Sequence, residues 1–147
     1  MKQLDEIIYD AIVADDALMQ LIGGRVVSTC FEIPPTEDDK TPLPNIIITD
    51  DGFQEQAWTK DDLWDSLSDR VQATVDIAAN NPEEVKSIAE KVRKAVNSRV
   101  SDMAAHGEDI PTLQSLTSDG IAWDWMKPCY YTKLVYTADV DSSSTEA

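Results

Sequence analysis

The chain has little of what most catalytic or nucleic-acid-binding proteins rely on. It holds one histidine and two cysteines in 147 residues. A single imidazole disfavours histidine-based metal sites and His-pair chemistry, and two thiols make neither a thiolate cage nor a disulfide scaffold. Positive charge is also scarce. Twelve Lys and Arg stand against 28 Asp and Glu, for a formal charge of −16. Such a balance opposes general attraction to nucleic-acid phosphates or to an anionic membrane surface. Apolar runs such as Ile46-Ile47-Ile48 fall far short of the ~20 residues that cross a bilayer. The start, Met1-Lys2-Gln3-Leu4-Asp5-Glu6, is acidic and amphipathic, unlike the basic, then apolar, opening of a signal peptide. The expectation is cytoplasmic synthesis, with Cys30 and Cys129 reduced and acting as small apolar residues on strands.

What is present suffices for one domain with its own core. Hydrophobic residues make up 42% of the chain, and a domain of this length buries roughly 70% of its unfolded surface. Over Lys2–Ile22, Leu4, Ile7, Ile8, Ala11, Ile12, Leu18, Leu21 and Ile22 recur at helical spacing. Asp5, Glu6, Asp10, Asp15 and Asp16 fill much of the other face, and Gly23-Gly24 ends the helix. Arg25–Phe31 is β-branched and reads as a strand, stopped by Pro34-Pro35. The proline-bearing, acidic stretch from Pro34 to Pro44 reads as a loop. Asn45–Thr49 is a second strand, and Asp50-Asp51-Gly52 should turn the chain out of it. Phe53–Ser68, with Trp58, Leu63 and Trp64 among aspartates, fits either a short helix or the distal part of a long hairpin.

Arg70–Ile77 is the clearest strand, because Val71, Ala73, Val75 and Ile77 alternate with polar residues. Asn81-Pro82-Glu83-Glu84 then opens a helix with an N-cap, a first-turn proline and a capping-box glutamate. Its stripe is Val85, Ile88, Ala89, Val92, Ala95 and Val96. Between Pro82 and Arg99 five basic residues face three acidic ones, so this helix is positive within a negative protein. Ser101–Pro111 reads as a linker, Thr112–Thr117 as a weak strand, and Asp119-Gly120 as a hairpin turn into Ile121–Met126. Cys129–Val140 is the last long strand, and residues 141–147 form a solvated tail. The expected fold is α+β: two amphipathic helices on a mainly antiparallel sheet, in the order helix, three strands, helix, two or three strands. Residues 1–140 form one domain, with 98–128 as a candidate inserted hairpin.

No chemical motif emerges. His106 lies in the expected linker with no positioned partner. The acidic runs at 37–39, 50–51 and 61–62 lack calcium-loop spacing, and no glycine-rich phosphate loop or nucleophile elbow occurs. Trp123 and Trp125, two apart on a strand, should share a face and serve core or subunit packing, since their neighbours are acidic. No catalytic, cofactor or metal residue is expected.

The order of elements carries more. An amphipathic helix closes with Leu21-Ile22-Gly23-Gly24-Arg25-Val26. A proline-bearing loop enters a strand as Leu43-Pro44-Asn45-Ile46-Ile47-Ile48. The strand Arg70–Ala78 then runs directly into the Asn-Pro-Glu-Glu-capped helix. This resembles the small tail-completion proteins of tailed bacteriophages and prophages, the tail-terminator or head–tail joining family. The resemblance spans residues 2–97, with a weaker echo over 130–140. It implies a structural role, in which copies form a ring, usually a hexamer, that caps the tail tube and meets the head connector. It implies no cofactor and no reaction, assembly in the cytoplasm, and a final place in the virion tail. DNA would at most pass through the ring, and an acidic lumen would keep it from sticking. A ring needs two different patches that fit each other. Lys86, Arg93 and Arg99 on the positive helix are candidates for one. Trp58, Leu63 and Trp64, in the acidic Thr36–Asp65 region, are candidates for the other. Two readings stand beside this one: a non-phage adaptor module that offers its sheet edge or the Trp-bearing connection to one partner, and a small carboxylate-based enzyme.

Overall fold

The computed structural model describes residues 3–28, 43–55, 68–126 and 128–141. Among them the chain forms three helices and six strands, in the order α1 (Leu4–Ala14), α2 (Asp16–Leu21), β1 (Val26–Ser28), β2 (Asn45–Glu55), β3 (Ser68–Ala79), α3 (Pro82–Ala105), β4 (Thr112–Thr117), β5 (Ala122–Asp124) and β6 (Cys129–Asp141). The fold is α+β, as the sequence pattern implies, and its sheet is antiparallel except where β1 runs parallel to β2.

The single helix expected over Lys2–Ile22 is two helices. The break is Asp15, whose side chain accepts a hydrogen bond from the Leu18 backbone N–H at 3.0 Å and so caps α2. A short carboxylate that can bond the backbone ahead of it favours a new start over a continued helix. Both pieces still point apolar residues inward: Leu4, Ile7, Ile8, Ala11 and Ile12 from α1, Leu18 from α2. Asp5, expected on the wet face, is buried in the first turn of α1, where backbone N–H groups and the helix dipole favour a carboxylate. Gly23 and Gly24 take the left-handed backbone (φ 61° and 74°) that turns the chain into β1. Arg25 then donates from Nε to the Pro44 carbonyl at 2.8 Å and from Nη2 to the Leu43 carbonyl at 3.1 Å. These bonds tie the start of β1 to the entry of its neighbour β2.

Asp50-Asp51-Gly52 does not end β2. The strand passes through a bulge there, with Asp50 opposite Ala73 and Phe53 opposite Val71, and continues to Glu55 opposite Asp69. Gly52 holds the left-handed conformation (φ 87°) that a bulge of this kind needs, and its N–H is bonded by the Asp50 carboxylate at 2.8 Å. β2 and β3 are thus the arms of a long antiparallel pair. Residues 56–67 lie outside the described part, so the two readings of Phe53–Ser68 are decided only at its ends, which are strand. Cys30 and the other residues from 29 to 42 also lie outside it.

The sheet runs β1-β2-β3-β6-β4. β5 lies on the same edge of β6 as β4, further along: β4 pairs with residues 135–139 of β6 and β5 with 129–131. The hairpin expected at Asp119-Gly120 is therefore absent from that position. β4 and β5 run in the same direction as one interrupted edge strand. The break is pinned to β6 by Thr132, whose hydroxyl donates to the Gly120 carbonyl at 2.8 Å and lies 3.2 Å from the Ser118 hydroxyl. The chain instead turns at Trp125 and Met126, between β5 and β6. A second bulge at Gln114 sets Leu113 opposite Ala138 and Leu116 opposite Tyr136, so both leucines face the core side.

The helices cover one face of this sheet. Ile46 and Ile48 of β2, Ala73, Val75, Ile77 and Ala79 of β3, and Leu134, Tyr136 and Ala138 of β6 are buried beneath α1 and α3. The capping of α3 follows the sequence reading: Asn81 precedes Pro82, and its side chain accepts from the Glu84 N–H at 2.8 Å. The helix runs further than expected, to Ala105. Half-buried Val100 and buried Met103 continue the stripe of Val92 and Val96, and this burial outweighs the weak helix propensity of Asn97, Ser98 and Ser101. His106, expected in a linker, closes the helix, with Nδ1 2.7 Å from the Asp102 carbonyl.

Candidate protein-interaction site

α3 is the one described element on which cations gather. Of the chain's 12 Lys and Arg, five stand on it: Lys86, Lys91, Arg93, Lys94 and Arg99. The buried stripe fixes which way they point. Val85, Ile88, Val92 and Val96 face the sheet, so Lys86, Lys91, Arg93 and Lys94 are exposed, with Glu90 as the acid between them. Lys86 and Arg93 are separated by nearly two full turns and lie along one line of the helix. Arg99 is placed differently. It is rotated by roughly 120° from Arg93 and half-buried, with an Nε that has no hydrogen-bond partner. The candidate trio therefore divides: Lys86 and Arg93 share an exposed face, and Arg99 does not join them. Trp58, Leu63 and Trp64 lie outside the described residues.

Arg93 also stands near a buried phenol. The Tyr136 hydroxyl is buried without a hydrogen-bond partner, and burial pushes its pKa up to about 12, with the Arg93 charge acting in the opposite sense. That site is structural, since the ring is almost wholly covered by the core.

The second surface was not legible in the sequence. β5 ends at Asp124, whose Oδ1 accepts the Met126 N–H at 2.9 Å and turns the chain. The turn throws two large apolar side chains outward: Trp125 is 85% and Met126 88% exposed. Ile121, before β5, is exposed as well. Beneath them Trp123 meets Trp125 edge-to-face with centroids 5.8 Å apart, and Tyr130 at 4.7 Å. Trp123 and Trp125 do associate, as their spacing suggests, but through a turn rather than along one strand face, and only Trp123 is partly covered. The signal available was Asp124 followed by Pro128, a turn pattern that the strand-like Ile121–Met126 composition masked.

The face of the sheet away from the helices is polar. Here the bulge brings Asp51 over β3, where its Oδ2 accepts from the Thr74 hydroxyl and from the Gln72 amide at 3.4 Å. Asp76 lies beside Lys133, 3.8 Å away. Partial burial pushes the Asp76 carboxyl above its usual value; the Lys133 cation opposes this and the Asp51 charge adds to it. Arg70 reaches Asp139 at 3.2 Å. Asp50 and Asp51, considered as cation ligands from their spacing, each have a carboxylate oxygen engaged, Asp50 Oδ1 within the bulge and Asp51 Oδ2 by β3. Among the described residues no three His, Cys, Asp or Glu side chains converge as a metal site, and no helix is long and apolar enough to cross a membrane.

No protein-family model and no curated protein matches the chain. Among solved structures, one chain of the "Virion of native gene transfer agent (GTA) particle" has a similar fold, with a TM-score of 0.51 over 95% of this chain and 95% of that one, at 17% identity. At that identity the likeness is one of fold, and it extends over nearly the whole of both chains.

Proposed function

We propose that this chain is a structural subunit of a phage-like virion, a tail-completion protein whose copies form a ring that closes the tail tube and joins it to the head connector. The observation that carries this reading is the full-length fold likeness to a chain of a gene transfer agent virion. The order of elements that resembles tail-terminator proteins agrees with it. A hexamer is the ring size that the resemblance implies. The chemistry of the chain suits such a part. Among the exposed features of its described residues are a cationic helix face and an aromatic turn, which are means of meeting other proteins. The reading implies no reaction and no cofactor, tail-tube and head-connector proteins as partners, and DNA only as cargo through the ring. The test is deletion of the gene from a particle-producing strain, read by electron microscopy. The expected result is headless tails of uncontrolled length and heads without tails. Normal, joined particles in the deletion strain would overturn the proposal.

A further inference from the structure

β4 ends the sheet on its side. In the order β1-β2-β3-β6-β4 it has one strand neighbour, β6, and among the described residues no other backbone bonds to its outer edge. The N–H and C=O groups of that edge are completed by another extended backbone. Exposed edges are commonly guarded by charge or by proline inside the strand. β4 has neither. Between Asp109 and Asp119 there is no charged residue, and Pro111 precedes the strand.

The strand also reads alike in both directions: Thr112-Leu113-Gln114-Ser115-Leu116-Thr117. An antiparallel second copy, centred between Gln114 and Ser115, sets Thr112 against Thr117, Leu113 against Leu116 and Gln114 against Ser115. In a regular strand Leu113 and Leu116, three apart, would lie on opposite faces. The bulge at Gln114 puts both on the core side, opposite Ala138 and Tyr136, and puts Thr112 and Thr117 on the open face, opposite Asp139 and Val135. The Leu and Thr pairs thus each share a face, as antiparallel pairing requires. The bulge falls at the centre, so the extra residue of one copy meets that of the other. A regular strand from another protein has no extra residue there and would slip out of register. Leu113 and Leu116 are only half-buried, because α3 packs over β3 and β6; the leucines of a second copy would complete their cover.

We infer that two copies of this chain pair antiparallel through β4, about a two-fold axis between Gln114 and Ser115. The sheet then runs through both copies, with the helices of both on the same side. Each copy offers the same patch, so the contact is isologous and closes at two. One strand pair and a short leucine strip make a small interface, so the dimer is weak. The inference does not rest on the ring reading. A two-fold contact does not propagate round a ring; it belongs to the free chain, where it covers an edge otherwise open to strand addition.

The experiment is sedimentation equilibrium of the full chain over a wide concentration range, at low and high salt, with hydrogen exchange followed residue by residue. The wild-type chain should form a reversible dimer. Salt should strengthen it, because Asp109 of one copy comes near Asp119 of the other at each end and both copies are net acidic. Amides of β4 should exchange more slowly as the dimer fills. Two variants test the centre: Gln114→Lys with Ser115→Lys, and Gln114→Glu with Ser115→Glu. Both positions are exposed, and circular dichroism checks that the fold is kept. Like charges then oppose each other across the axis, so each variant should dimerise at least about tenfold more weakly. An equimolar mixture of the two should recover a heterodimer. A wild-type chain that is monomeric throughout, an association that salt weakens, β4 amides that do not respond, variants that pair normally, or a mixture that fails to pair would each overturn the inference. If Trp125→Ser abolishes association and the β4 variants do not, copies meet at the aromatic turn and the β4 pairing is wrong. The deletion strain decides the ring reading separately, and either result there leaves the dimer standing.

Discussion

Ile77 and Asp76 are neighbours on β3, yet they occupy different environments. Ile77 lies under the helices, in contact with the core formed by Ile46, Val75 and Leu134. Asp76 lies on the opposite face, beside Lys133 and within the field of Asp51. The same division runs along β6, where Leu134, Tyr136 and Ala138 are buried while Lys133 is exposed and Val135 and Thr137 half-exposed. The alternating strand thus assigns stability to one face and leaves the other polar. Among the described residues, the exposed cations of α3 and the exposed Trp125 and Met126 lie on neither face. They sit on the outside of α3 and at the sheet edge, where covering them costs the fold nothing.

Three substitutions probe this division. The largest effect belongs to the covered face. Ile77→Ala removes buried methylenes from a close-packed site and should cost about 2–5 kcal/mol, read as a fall in the urea midpoint with an unchanged slope. A loss of a few tenths would mean that the helix-covered face is not the main source of stability.

Tyr136→Phe tests the same face with opposite sign. It deletes a buried hydroxyl that has no hydrogen-bond partner, so stability should rise by about 1 kcal/mol. The pH profile sharpens the result. The phenol titrates near 10 when exposed and at about 12 in the fold. The folded state therefore holds its proton more tightly, and the stability this contributes is complete below pH 10 and lost as pH rises through about 12. The wild-type chain should lose stability along that alkaline limb, and Tyr136→Phe should flatten it. An unchanged limb would separate the titration from Tyr136.

The smallest effect belongs to the open face. The Asp76 carboxyl is raised above its usual 3.8 by partial burial, with Lys133 opposing. A raised carboxyl favours the fold while protonated, and that contribution disappears as pH rises through the folded value. At neutral pH the ionised group is therefore a slight burden. Asp76→Asn should raise the thermal midpoint slightly at pH 7 and leave it nearly unchanged near pH 3. A clear fall at pH 7 would mean that the Lys133 pair outweighs burial.

Much of this architecture could be read before any coordinates. The alternation over Arg70–Ile77 and the Asn81-Pro82-Glu84 cap are local patterns, and local patterns fold as they read. Sequence pattern and structure part where a local signal is overruled at a distance. Asp50-Asp51-Gly52 has the composition of a turn, but pairing with β3 on either side makes it a bulge. Ser101 and Asp102 weaken a helix, but Met103 has a buried place to fill. Asp15 did the reverse, ending a helix that its apolar spacing would have continued. The cationic face of α3 was legible because charge and helical period are both written in the chain. The aromatic turn was not, because Trp123 and Trp125 have the composition of a strand, and only pairing with β6 shows that β5 stops between them.

The scarcity of histidine, cysteine and positive charge, the two-residue period of β3 and the capped amphipathic α3 are properties of the sequence. They set an α+β domain with one wet sheet face and one cationic helix, because side-chain chemistry and backbone period act over a few residues. Where β4 and β5 lie on β6, how the Asp50–Phe53 bulge is absorbed, and that Trp125 and Met126 face outward were decided by the tertiary structure. Each depends on strand partners far apart in the chain, and register between distant strands is chosen by the packing of the whole core.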